Sequence, residues 1–507
     1  QPKDSLLSGP AGGVAGAAAA ARAAGIEALI SFDMGGTSTD VARYRDGHDY
    51  VFEHAVGDVR LRAPALRIHT VAAGGGSICR AERGMLRVGP ESAGADPGPA
   101  CYGRGGPLTV TDCNLLAGRI DATAFALPLD IEAAGARLHD VLDALERGPG
   151  DAADVLHGFL DIANEHMATG IEAVSLRRGF DPAAYALVAF GGAGGQHACA
   201  IADRLGITTI LVPGDASVLS AVGLAAAPVE RIAETQVLAP MDAFLERLPQ
   251  LRRDLFDTAA RALVEAGHAA DNLTAHRQLV NARLAGQNET IELEDDPGRE
   301  VSLPEQFRQR YRARYGDDPP PSRVVEIESY RLVVHAPATM GLAVPDEEAP
   351  SPAAGARPKE TIRMLLPAGE RDVPVIDPAA LGPDGRGGPL LVSMYGSSVV
   401  VEPGWRVEPA SGDVLHLRRT ASARPRSGAM SESARVTLLG HRLETIAADM
   451  GAVLERVAFS TNVKDRHDFS CAVLDPEGHL VVNAPHTPAH LGALEHCVAA
   501  ARAGRYL

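Results

Sequence analysis

Positive charge is scarce in this 507-residue chain: 48 Lys and Arg stand against 65 Asp and Glu, a formal net charge of −17. A chain without clustered basic residues is not a general binder of the nucleic acid backbone. The six cysteines, Cys79, Cys101, Cys113, Cys199, Cys471 and Cys497, form neither a CxxC pair nor an even ladder. They point to no zinc knuckle and no disulfide framework, and fit a reducing cytoplasm. No run reaches the roughly 20 apolar residues of a membrane span. The most apolar early stretch, 14–24, is Ala-rich and closed by Gly25, as in a packed helix. No basic and apolar leader precedes it, and a helix expected over 490–507 stops without a cap, so both ends read as internal to a longer protein.

What is abundant is glycine and proline, 53 and 35 residues, beside a 46% hydrophobic fraction able to fill several cores. An apolar run over 27–32 leads into Asp33-Met-Gly-Gly-Thr-Ser-Thr-Asp40 and a second strand over 41–45, giving strand, Gly-Thr loop and strand. Two further Gly-rich passages, 69–78 and 89–106, read as loops. Helical spacing over 151–178 precedes a buried strand at 185–190, then Gly191-Gly-Ala-Gly-Gly195, a helix, a strand and another Ala-rich helix, an α/β succession. Helical spacing returns over 241–267, and apolar runs over 273–417 suggest a strand-rich region. The expected organisation is an α/β core over 1–235, a strand-rich region over 236–418, a Ser/Pro/Arg-rich linker over 419–433 and a further domain over 434–507.

Asp33 at a strand end, followed by Gly35, Gly36 and Thr37, places a carboxylate beside backbone N–H groups that a phosphate can approach closely. Thr39 adds a hydroxyl. Asp33 and Asp40 could hold Mg²⁺ or orient an attacking group, as hard oxygen ligands do in phosphoryl transfer. A plain Gly-rich turn capped by Asp and Thr accounts for the same residues. Gly191, Gly192, Gly194 and Gly195 lie where a helix N-terminus can meet a nucleotide, but match neither GxGxxG nor a Walker loop, so a tight structural turn is the competing reading. Near the C-terminus Asp465, Asp468, His486 and His490 could take Zn²⁺, Mn²⁺ or Fe²⁺, or be solvated loop residues.

Ser8-Gly-Pro-Ala-Gly-Gly-Val14, the Asp33 to Asp40 loop, His69-Thr-Val-Ala-Ala-Gly-Gly-Gly-Ser77, the 89–103 passage and Thr109-Val-Thr-Asp-Cys-Asn-Leu115 resemble, in order, hydantoinase A proteins. Beyond the linker, Ser460-Thr-Asn-Val-Lys-Asp-Arg-His-Asp-Phe-Ser-Cys-Ala472 and Asn483-Ala-Pro-His-Thr-Pro-Ala-His-Leu-Gly492 resemble hydantoinase B. Both halves in one chain are similar to the 5-oxoprolinase type.

The resemblance implies an actin-like (ribonuclease H-like) ATPase fold, then a strand-rich domain and the start of a mixed α/β B-type domain. It implies ATP and Mg²⁺ as cofactors, a small cyclic amide as substrate, a divalent transition metal on Asp465, Asp468, His490 and His486, K⁺ as a further ion, and a homo-oligomer. Its expected activity is hydrolysis of 5-oxoproline to glutamate. Hydantoin cleavage, ketone carboxylation and a non-catalytic scaffold are the alternatives, and the acid at 465 favours the oxoprolinase side over the carboxylases. Ala73 and Cys113 stand where the family pattern has Gly and Ala. The family's first phosphate loop and most of the B-type domain are absent, so this chain alone is expected to turn over little or nothing.

Overall fold

In a computed structural model the chain is described at residues 8–45, 47, 49–51, 54–56, 59–61, 65–125, 127–176, 180–227, 229–287, 290–296, 298, 301–315, 317–337, 361–366, 368–411, 413–420, 432–458, 460–466, 468–484 and 491–503. It forms two compact units. The first comprises residues 1–225, 344–452 and 468–507, the second 226–343 and 453–467.

The first unit opens with α1 (Ser8–Ala23), β1 (Ala28–Met34) and β2 (Thr39–Arg45). Two short antiparallel ladders follow, β3 (Tyr50–Val51) with β6 (Ala65–Leu66) and β4 (His54–Val56) with β5 (Val59–Leu61). Next come β7 (His69–Val71) and the hairpin of β8 (Ser77–Glu82) and β9 (Met85–Ser92). The start of the 89–106 passage, expected as loop, is therefore ladder. The helices α2 (Val110–Leu116), α3 (Ile131–Ala144) and α4 (Ala152–Val174) lead to β10 (Ala186–Phe190), α5 (Gly194–Leu205), β11 (Thr209–Pro213) and α6 (Leu219–Ala226).

Leu29, Ile30, Ser31 and Phe32 are all buried. Because successive strand residues face opposite ways, β1 must be covered on both faces, and the same holds for the five buried residues of β10. This is why these strands read as continuous apolar runs without alternation. Helices α1, α4 and α5 pack against the sheet. Within β1 the buried Ser31 hydroxyl accepts from the Ala42 N–H at 3.1 Å.

The second unit is an antiparallel sheet of β12 (Val229–Pro240), β13 (Thr274–Leu284), β14 (Ile291–Glu294) and β15 (Val325–Ala336), ordered β12-β15-β13-β14. The helices α7 (Met241–Glu265) and α8 (Leu303–Tyr315) complete it, around Phe244, Leu293, Phe307 and Tyr330. A boundary at 235/236 falls inside β12, which pairs with β15 from Val229↔Ala336 to Pro240↔Glu326.

The chain then returns to the first unit. There β16 (Thr361–Leu366), β17 (Gly369–Ile376), β19 (Leu390–Met394) and β20 (Ser397–Val401) form a four-stranded sheet. The strands β18 (Arg386–Gly387), β21 (Trp405–Ala410) and β22 (Val414–Arg419) extend the main sheet to β18-β21-β22-β11-β10-β1-β2-β7. A single strand-rich region over 236–418 is thus divided between the units. Long-range pairing decides this, with β22 antiparallel to β11 from Thr209↔Arg418 to Pro213↔Val414. Most of the expected linker, 421–431, lies outside the described residues. Beyond it are α9 (Glu432–Val457), α10 (Thr461–Arg466), the β23 (Ala472–Leu474) and β24 (Leu480–Asn483) hairpin, and α11 (Leu491–Arg502). Among the described residues, no helix is long and apolar enough to cross a membrane.

Phe32 is fully buried beside the loop that ends β1. Phe32→Ala is expected to lower unfolding free energy by about 3–5 kcal/mol, read by denaturant titration.

Candidate functional site

Met34 ends β1 and Thr39 begins β2, so the ladder places Asp33 directly opposite Asp40. Like charges so placed repel. Burial raises the Asp33 carboxyl pKa to about 6, Asp40 adds to the rise, and the Ser220 hydroxyl, donating at 3.3 Å, opposes it. Asp40 accepts from the Thr70 hydroxyl at 2.6 Å. In the turn, Gly36 and Thr37 are exposed, and their backbone N–H groups bond to no protein group among the described residues.

The second Gly-rich passage supports this turn from behind. Gly75 N–H donates to Gly35 O at 3.0 Å and Gly76 N–H to Gly36 O at 2.5 Å. A Cβ on Gly74 would lie 2.7 Å from the Thr37 carbonyl carbon, so only glycine permits the approach. Thr39, expected to face a phosphate, is turned inward: it is fully buried and its hydroxyl donates to Ala73 O at 2.5 Å.

The parallel pairing of β10 with β1 sets Phe190 beside Asp33. The next residue, Gly191, has φ +79°, and a Cβ there would meet Asp33 Oδ1 at 2.6 Å and Met34 O at 2.4 Å. Ala193 N–H donates to Met34 O at 3.2 Å, and α5 starts at Gly194. The two loops separated by 150 residues of sequence, roughly one domain's length, thus meet at one carboxylate. Gly192 is exposed at this junction, while Gly194 and Gly195 are buried in the first turn of α5.

Further residues hold these loops from behind. Thr111 donates its N–H and hydroxyl to Gly75 O at 2.7 and 2.9 Å. Buried Asp112 accepts from the N–H groups of Cys101 and Thr109, both at 2.7 Å, and closes a capping box with Thr109. Asn114 Nδ2 donates to His197 Nε2 at 2.9 Å, and His197 Nδ1 donates to Asn164 Oδ1 at 2.7 Å. Burial depresses the His197 pKa to about 3, with the nearby Arg119 charge adding to the effect, so the ring is neutral. Thr109-x-x-Asp112 was a readable capping signal; the Asn114–His197–Asn164 chain had none, since its members sit on three helices.

Of the expected metal ligands, His486, His490 and the Asp465 side chain lie outside the described residues. Asp465 belongs to α10, and Asp468 is exposed after it. No group of three or more His, Cys, Asp or Glu able to hold a metal occurs among the described residues.

The hydantoinase/oxoprolinase profile matches residues 1–233, and the hydantoinase B/oxoprolinase profile matches residues 432–505. The chain belongs to the hydantoinase/oxoprolinase family. It is 35% identical to a 5-oxoprolinase of Pestalotiopsis fici, covering 98% of this chain and 40% of that relative. It is 32% identical to the 5-oxoprolinase of Saccharomyces cerevisiae, with the same two coverages. This family member therefore spans about 40% of the length of the curated relatives it matches. The crystal structure of the ATP-dependent caprolactamase from Pseudomonas jessenii matches with a TM-score of 0.69 at 29% identity, over 81% of this chain and 62% of that one. A nucleotide-free acetone carboxylase matches in fold, with a TM-score of 0.61 at 22% identity, over 81% and 61% of the two chains. Both agree with the mixed α/β architecture.

The raised Asp33 pKa has a consequence for stability. Folding favours its protonated form, so this contribution is fully present below pH 3.8 and is lost as pH rises through about 6. Asp33→Asn is expected to stabilise the protein at pH 8 by on the order of 2 kcal/mol and to change little at pH 3.5. Thermal unfolding at the two pH values checks the sign.

Proposed function

We propose that the protein hydrolyses a cyclic amide at the expense of ATP, with 5-oxo-L-proline opened to L-glutamate and ATP converted to ADP and phosphate. The observation that carries this reading is the meeting of the Asp33 to Asp40 turn and the Gly191 to Gly195 loop at one carboxylate, in a chain similar to 5-oxoprolinases. The strand order β7-β2-β1-β10-β11, with three antiparallel strands followed by two parallel to β1, supports an actin-like ATPase core.

The residues present fit ATP and Mg²⁺. Asp33 and Asp40 form a close acidic pair of the kind that holds Mg²⁺ together with phosphate oxygens. The exposed N–H groups of Gly36 and Thr37 would donate to those oxygens, and Gly191 would let the backbone approach without a side chain in the way. The N-terminus of α5 contributes the positive end of its dipole. ATP, when bound, supplies the phosphoryl group that makes the amide oxygen a leaving group, which offsets the resonance stability of the ring. One water would then add to the phosphorylated ring carbon and the C–N bond would open to an acyl phosphate, from which a second water would release phosphate and the free carboxylate.

The B-type segment, with Asp465, Asp468, His486 and His490, is proposed to hold a divalent transition metal on the strength of the family resemblance. K⁺, a homo-oligomer and a cytoplasmic location belong to the same proposal, the last supported by the five buried free thiols.

The test is ATP hydrolysis by the full-length protein that contains this chain, with 5-oxoproline, caprolactam, N-methylhydantoin, or a ketone plus bicarbonate. The expected result is stimulation by 5-oxoproline with glutamate and phosphate released in equal amounts. Asp33→Ala should reduce kcat/KM by about 10²-fold or more. Stimulation by another ring or by the ketone moves the substrate assignment, and stimulation by none of them overturns the reading.

A further inference from the structure

We propose that the buried Arg119–Glu402 ion pair positions the first turn of α5 for nucleotide binding, an assignment that rests on the phosphate-site reading above. Arg119 follows α2 and is 2% exposed; Glu402 follows β20 and is 4% exposed. One guanidinium nitrogen donates to Glu402 Oε1 at 3.3 Å, and another donates to the backbone carbonyl of Gln196, in the first turn of α5, at 3.2 Å. The stretch carrying Arg119 is itself held: its N–H donates to Asn114 O at 2.8 Å, and Ala117 O accepts from Leu365 N–H at 2.9 Å. On the other side α5 packs on β20, and the Ser397 hydroxyl reaches Gly191 O at 3.5 Å.

The pair therefore joins two separate segments across the turn that carries Gly192 to Gly195. Both segments also line a small cleft, through Ile120 and Asp121 and through Ser397 and Ser398, together with Gly192 and Gln196. Stability alone does not explain such a pair, because two well-packed apolar side chains of similar volume commonly serve a core as well. What the ion pair adds is direction. The planar guanidinium grips the Gln196 carbonyl and the Glu402 carboxylate at once, and so fixes the rotation of the turn about the α5 axis. Being neutral overall, it does so without placing net negative charge beside an anion site.

A helix turn that contacts bound phosphates does so equally in the ground and transition states, so disturbing it raises KM and leaves kcat nearly unchanged. The test compares the full-length protein that contains this chain with its double variant Arg119→Met/Glu402→Leu, which keeps volume and leaves no buried charge. KM for ATP, kcat and the calorimetric Kd for MgADP are measured alongside Tm. The expected outcome is a folded protein whose KM and Kd both rise by about tenfold or more, with kcat within a few-fold of wild type. Arg119→Lys, which keeps the charge but loses the fork, should fall between the two. Unchanged KM and Kd in the double variant overturn the proposal while leaving the phosphate site standing. If the wild type binds neither ATP nor MgADP, the phosphate-site reading fails and this proposal fails with it. Should the double variant not fold, Glu402→Gln preserves shape and must still raise both constants; no change there also overturns the proposal.

Discussion

The candidate site depends on the parallel pairing of β1 with β10. Each strand taken alone ends in a glycine turn with an ordinary structural explanation. Placed side by side, with Phe190 next to Asp33, the strands release their two turns at the same edge of the sheet, and Gly191 is pressed against the Asp33 carboxylate. The burial of both faces of these strands holds the register, because slipping by one residue would exchange every side chain between faces.

That arrangement stores electrostatic tension. Asp33 and Asp40 face each other across a ladder, and Asp33 is partly withdrawn from water, so its ionised form is disfavoured in the folded protein. A fold selected for stability alone gains nothing from this pairing. A bound cation or a transferred proton relieves it, which is the usual physical meaning of a close carboxylate pair in a cleft. The layers behind the turn absorb the tension through satisfied contacts. Gly75 and Gly76 bond the turn, Thr111 bonds Gly75, and Asp112 and Asn114 of the same helix reach the 100–101 backbone and His197. One short helix thus links three segments, and successive residues of a single motif serve different neighbours.

The two units differ in how their sequences encode them. In the second, α7 shows helical spacing and β15 reads as an apolar run, as local pattern expects, while α8 lies inside a stretch expected as strands. The first unit is discontinuous, and its sheet is completed by β21 and β22 from the far side of the second unit. Nothing in the 405–419 segment announces which strand it joins. Likewise Thr39, chemically suited to a phosphate, is committed to Ala73 O, because the strand alternation sends its side chain inward.

By itself, the sequence determined the chemical inventory: the acidic glycine turn, the second glycine turn after a buried strand, the α/β succession and the order of motifs that marks the family. These are local properties, set by side-chain periodicity, by glycine's conformational range and by residue type. Only the tertiary structure decided that the two turns converge on Asp33, that burial and the neighbouring Asp40 raise the Asp33 pKa, and that Arg119 and Glu402 meet beneath α5. Those are contacts between residues far apart in the chain, fixed by strand register and core packing, and no local pattern specifies them.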